Sequence, residues 1–251
     1  MTTARMARDF NHLVQWDILF HRRIMISHLL DEAIRLSVGS SLADKTPASI
    51  IASVANNWIR QYGAMQTLIA DGESGLASEE VAQWLDRVGT QLKTKAPGEH
   101  AQMGECHHEL LRRIILCLEA HLAEEGCNVP MSVIVSEALL AKNSLTTVAG
   151  QTPYRALYGR DPPGLAEFGP TSETQLDDMS GGVLGLSRHH HRVRELAIAA
   201  MVQETAQLRL ERALTSKTRV AAEHLDLPPG DLVDFWRKAA TQDESGRRGP
   251  A

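Results

Sequence analysis

An α/β domain, with a mixed five-stranded sheet flanked by helices, is predicted by three features of this sequence. Short apolar runs at 13–20, 24–30 and 36–42 follow one another with tight connections, as in an antiparallel meander. Beyond residue 46, apolar runs alternate with stretches of helical period, which places helices between the later strands. Two of the runs also carry acids where a plain core strand would not. Asp17 sits in the middle of Val14-Gln15-Trp16-Asp17-Ile18-Leu19-Phe20, and Asp71 ends Leu68-Ile69-Ala70-Asp71 just before Gly72.

The elements follow in order. Arg22-Arg23 turns the first strand into the second, and Asp31-Glu32-Ala33-Ile34-Arg35 interrupts the run before the third. Thr46 is suited to cap a helix and Pro47 to open it, because the first turn does not need the missing N–H. Ile50, Ile51, Val54, Trp58 and Ile59 recur at helical spacing up to Gly63, a residue able to take positive φ at a helix end. Met65 to Ala70 is the fourth strand. Ser78-Glu79-Glu80 opens a second helix with Val81, Trp84, Leu85 and Val88 on one face, and Gln91 to Lys95 forms a short fifth strand. From about His100 to Glu125, Met103, Leu110, Leu111, Ile114, Ile115, Leu118 and Leu122 mark the longest helical stripe of the core. A further apolar helix runs from Pro130 through Leu140. Trp16, Trp58 and Trp84 are expected in the core.

Four segments emerge: a core at 1–160, a linker at 161–187 rich in Pro, Gly and acids, a long helix at 188–222, and a final piece at 228–251 holding one strand and a loop. The long helix carries Arg188, Arg192, Arg194, Arg209, Arg212, Lys217 and Arg219 against Glu195, Glu204 and Glu211, so it is basic in a chain of net charge −5. That overall charge gives no global signal for nucleic acid, so any such contact must come from local patches. Cys106, Cys117 and Cys127 form no C-x-x-C and read as free thiols of a reducing compartment. No run reaches the roughly 18 apolar residues of a membrane span, and the first residues lack an apolar signal region. The expectation is an intracellular protein, nuclear or cytoplasmic, with no membrane partner.

Asp17, Asp71 and Glu105 are the candidate catalytic and metal-binding residues. Hard Mg²⁺ or Mn²⁺ takes oxygen ligands, typically one or two carboxylates beside water and phosphate oxygens. A pair of such ions can hold both the attacking and the leaving oxygen of an in-line phosphoryl displacement. Three acids nearly balance two dications, and a phosphodiester supplies the remaining charge.

Several ordered segments resemble the catalytic core of retroelement (retrotransposon) integrases, in the ribonuclease-H-like superfamily. They are Val14–Phe20, His28–Arg35, Leu68–Glu73, Ala96–His108, Thr152–Gly159 and Gly230–Val233, the last like the first strand of a truncated C-terminal β-barrel. The resemblance implies a metal-dependent polynucleotidyl transferase that processes the 3′ ends of element DNA and joins them to target DNA. It implies a homo-oligomer, and DNA contacts by His108, Arg112, Arg192 and Arg194. The chain departs from the pattern in three ways. The interval between Asp71 and Glu105, 33 residues, is slightly short. Glu109 stands where retroviral relatives carry a basic residue. The zinc-binding His and Cys pairs of the family's N-terminal domain are missing, so the sequence looks like a fragment of a polyprotein. A catalytically decayed remnant that only binds DNA or protein is the alternative expectation. A ribonuclease-H-like nuclease of other function is a third.

Overall fold

The computed structural model describes residues 7, 9–70, 78–94, 102–148, 150–162, 183–215, 235–236 and 247–248. Within residues 1–208, strands β1 (Leu13–His21), β2 (Ile24–Asp31), β3 (Ser37–Leu42), β4 (Thr67–Ala70) and β5 (Gln91–Thr94) form one sheet in the order β3-β2-β1-β4-β5. The first three are antiparallel neighbours, while β4 and β5 run parallel to β1. This is the predicted meander followed by strands reached through helices.

The Arg22-Arg23 turn fixes the β1–β2 register. Its first residue takes φ 52°, and the pairing it sets brings Asp17 opposite His28. Asp31 holds the next turn. Its carboxylate accepts from the backbone N–H groups of Ala33 and Ile34, and on its other oxygen from Asn11, each at 2.9 Å. Burial nevertheless raises the Asp31 pKa, these hydrogen bonds pulling the other way.

Helix α1 (Pro47–Val54) starts at Thr46, whose hydroxyl accepts from the Ser49 N–H, and continues through a π-helical turn (Ala55–Ile59) to Arg60–Tyr62. Gly63 ends it at φ 80°. Helix α2 (Glu79–Arg87) has Ser78 as its cap. Both helices cover one sheet face, burying Val14, Trp16, Ile18 and Leu29 with Ile50, Val54, Trp58, Val81 and Leu85. Trp84 packs at the edge of this cluster.

The opposite face is covered by α3 (Gln102–Glu124) and α4 (Met131–Leu145). Leu19 and Ile26 meet Leu111, Ile114, Ile115 and Leu118 from α3, and Ile134, Val135 and Ala138 from α4. The short helix α5 (Pro153–Tyr158) is capped by Thr152 and closed by Gly159 at φ 69°. Helix α6 (Val183–Thr215) adds Val193, Leu196, Ala197, Ala200 and Met201 to this second core.

Three expectations change. Helix α4 runs past Leu140 to Leu145 because its polar end is buried rather than exposed: Lys142, Asn143 and Ser144 lie in the interior. Helix α6 begins at Val183, inside the stretch expected to be linker and just after Gly181-Gly182. Residues 209–251 form a second unit, in which Phe235–Trp236 pairs antiparallel with Arg247–Arg248. A strand needs a partner for its backbone groups, and that partner comes from a segment that looked like loop by its Arg, Gly and Pro content. Gly230–Val233, Asp71 and most of the linker fall outside the described residues.

The end of α4 is fastened to the rim of the sheet. Asn143 accepts from the Ser37 N–H at 2.9 Å and donates to the Ser37 carbonyl at 2.7 Å, and Lys142 donates to the Ser37 hydroxyl. Burial, with the Arg35 charge adding to it, pushes the Lys142 ammonium down to about 7. The unfolded chain keeps this proton up to the ordinary value of 10.5, whereas the folded chain sheds it above about 7. Between those limits the unfolded state binds more protons, so stability rises with pH. Lys142→Met should remove that contribution, which is at most ~1.4 kcal/mol per pH unit, as read by urea denaturation at several pH values from neutral to alkaline. Gly39, opposite His28, has no room for a side chain, since a Cβ there would run into the Ser27 carbonyl oxygen. Gly39→Ala should cost roughly 1–3 kcal/mol through forced overpacking, measured the same way.

Candidate nucleic-acid and metal site

Asp17 lies on the central part of β1, where a side chain is normally sealed in. Here its carboxylate remains half-exposed, at 49%. Its Oδ1 accepts from the Ile18 N–H at 2.7 Å. Its Oδ2 faces Nδ1 of His108 at 3.5 Å. On the other side of the His108 ring, Nε2 is 3.0 Å from Nδ1 of His28, and the two rings meet edge to face with centroids 4.9 Å apart. His28 is the cross-strand partner of Asp17, so both side chains leave the same face of the sheet.

Glu105 stands three residues before His108 on α3, hence on the same helix face. Glu105, His108, Glu109, Arg112, Arg113 and Leu116 line a surface groove of about 460 Å³. Of the two described acids, Asp17 faces the His108 ring at 3.5 Å and Glu105 lines the same groove as His108. β4, the parallel neighbour of β1, ends at Ala70, whose partner on β1 is Trp16. Asp71 itself lies outside the described residues.

A hard divalent cation asks for carboxylate oxygens with room for water and phosphate beside them. Asp17 and Glu105 meet that demand in kind: both are oxygen donors, and both reach solvent. Among the described residues there is no group of three or more side chains that could hold a metal by themselves.

The expected DNA contacts divide. Arg112 is exposed in the groove. His108 borders the groove but is only 8% exposed, its ring turned onto His28 and Asp17, because its position on α3 looks down on the sheet. Arg192 is held by Glu125 and Glu195, and Arg194 by both oxygens of Glu137 at 2.9 and 3.0 Å. These pairs raise the pKa of both arginines and tie α6 to the end of α3 and the middle of α4. Glu109, the acid found in place of a basic residue, pairs with Arg113 one turn on, at 2.9 Å.

A layer of buried bases beneath the groove was not foreseen. His107 is half-buried, and its pKa is lowered to about 3 by burial, with the charges of Lys142 and Arg35 adding to it. Burial first, then the nearby His108 and Lys142, depress the pKa of His28 as well, which keeps that ring neutral. His28 could have been found by pairing residues outward from the Arg22-Arg23 turn, which sets it opposite Asp17. Lys142 could have been found from its place four residues after Ala138, on the stripe that buries α4.

No family model and no curated protein matches the sequence. Solved structures do. A chain of the simian T-cell lymphotropic virus intasome, in complex with a PP2A regulatory subunit, aligns with a TM-score of 0.55 at 20% identity, covering 64% of this chain. The chain spans 59% of the length of that intasome protein. The HTLV-2 integrase catalytic core in complex with magnesium aligns at 0.49 and 17% identity, covering 58% of this chain and 94% of that one. The BIV integrase core does so at 0.49 and 19%, covering 58% and 93%. The intasome likeness is one of fold: this chain shares with that protein an α/β domain, here a mixed five-stranded sheet in the order β3-β2-β1-β4-β5 flanked by helices.

Proposed function

We propose that this chain is a retroelement integrase core, a metal-dependent polynucleotidyl transferase acting on DNA ends and target DNA. The observation that supports it is a half-exposed Asp17 on the central strand, 3.5 Å from His108 of α3, with Glu105 lining the same open groove as His108. Asp71, one residue beyond the end of β4 in the sequence, is proposed as the third acid. Asp17, Asp71 and Glu105 would hold Mg²⁺ or Mn²⁺, which when bound supplies charge neutralisation and activation of the attacking oxygen. The reaction class is phosphoryl transfer, in which a water or 3′-hydroxyl oxygen bonds to phosphorus as the bond to the leaving oxygen breaks.

The chain's own residues account for placement. The strand gives Asp17 a fixed backbone, and the Ile18 N–H and His108 hold its two oxygens. Arg112, exposed in the groove, is placed to meet a phosphate as DNA lies along α3. Arg192 and Arg194 have their charges engaged by Glu125, Glu195 and Glu137, so their role is proposed to be fastening α6 rather than carrying the DNA contact.

Self-association is part of this proposal: the HTLV-2 core is described in dimeric and trimeric forms. No helix among the described residues is long and apolar enough to cross a membrane.

Cleavage and joining of a labelled DNA duplex with Mn²⁺ tests the proposal. The wild-type chain should act, and Asp17→Asn, Asp71→Asn and Glu105→Gln should each fall to the metal-free background. Activity unchanged by these substitutions would put the site elsewhere. A live site should also gain thermal stability with metal, about 2.7 kcal/mol at a hundredfold excess over Kd. A remnant that only binds DNA or protein would show no such gain. Arg112→Ala should weaken DNA binding with less dependence on salt, read by anisotropy at two salt concentrations.

A further inference from the structure

We propose that His28 and His108 form a two-ring bracket that aims Asp17, with His28 Nδ1–H donating to His108 Nε2 and His108 Nδ1–H directed at Asp17 Oδ2. His108 is thereby a positioning residue, and His28 positions His108 in turn. The part concerning a metal ligand rests on the proposed function; the bracket itself does not.

Two contacts favour one tautomer of each ring. His108 faces Asp17 Oδ2 at 3.5 Å through Nδ1 and His28 Nδ1 at 3.0 Å through Nε2. A carboxylate can only accept, so the nitrogen facing it must carry hydrogen. A neutral His108 then offers its Nε2 lone pair to His28, which must donate from Nδ1. The remaining nitrogen of His28, Nε2, is buried without a partner among the described residues. In this arrangement the orphan is a lone pair. In the reverse arrangement it is an N–H, which buried structures tolerate less readily, and a neutral His108 would turn a lone pair toward the Asp17 carboxylate. Both rings are nearly sealed from solvent, His28 at 1% and His108 at 8%. The bracket is therefore fixed by packing from β2 and α3, and the half-exposed carboxylate inherits that fixity. Rings that orient a metal-binding group from behind commonly matter about 10- to 100-fold in metal affinity.

Two measurements on the full chain test this. Imidazole ¹⁵N shifts of the metal-free protein should show both rings protonated on Nδ1 and not on Nε2; a His108 carrying hydrogen on Nε2, in either charge state, overturns the bracket. In Mn²⁺ titration, His108→Ala and His108→Gln should weaken binding about 10- to 100-fold. His108→Asn, whose amide nitrogen occupies the place of Nδ1, should stay near wild type. His28→Phe, which keeps a ring but loses the donor, should fall between. If all four bind Mn²⁺ as the wild type does, Asp17 is not positioned this way. If the wild type binds no Mn²⁺, the proposed function fails while the ¹⁵N shifts still decide the bracket.

Discussion

Polar groups sealed between the sheet and helices α3 and α4 set the terms for everything above them. A buried amide, ring or ammonium must be matched by a partner, because leaving one unmatched costs about as much as a sizeable core truncation. Asn143 meets this demand by treating Ser37 as another strand would, accepting from its N–H and donating to its carbonyl. Lys142 meets it through the Ser37 hydroxyl. These bonds fix how far α4 sits along β3, since a shift by one residue would break all three at once. The apolar contacts of Ile134, Val135 and Ala138 have no such directionality and alone would allow sliding.

The same layer connects fold to site. With α4 anchored, α3 packs in one position against Leu19 and Ile26. His21, near the far end of β1, meets Glu119 of α3 at 2.9 Å. Nearer the start of the helix, His108 meets Asp17 and His28. β1 is thus joined to α3 by one polar contact at its middle, Asp17, and another at its end, His21, with Leu19 between them. Helix α6 adds weight on the outside through Ala197 and Ala200, whose small side chains permit close approach. The paired arginines next to them spend their charges on this attachment, which is why a basic stretch of sequence need not be a basic surface.

Much of the fold was legible because it rests on local chemistry. Thr46 with Pro47, Ser78 with two glutamates, and Gly63 and Gly159 at helix ends all behave as their residue types require. The positions of Asp17 and Glu105 also followed from the strand and helix that carry them. What escaped was tertiary. Lys142, Asn143 and Ser144 look like the solvent end of a helix until β3 is placed beside them. His108 looks like a DNA-facing surface residue until α3 is laid across the sheet. Arg192 and Arg194 look free until Glu125 and Glu137, far away in the chain, come to meet them. In each case the deciding partner lies dozens of residues away, where periodicity carries no information.

The rims of the sheet have a further implication for assembly. On one side, β3 has its outward backbone groups at Ser37 already occupied by the Asn143 amide. On the other, β5 is four residues long, largely solvated, and carries Lys93. Short, charged or covered rims discourage another strand from adding on. Copies of this protein that come together are therefore steered away from extending one continuous sheet and toward contacts made by helical surfaces.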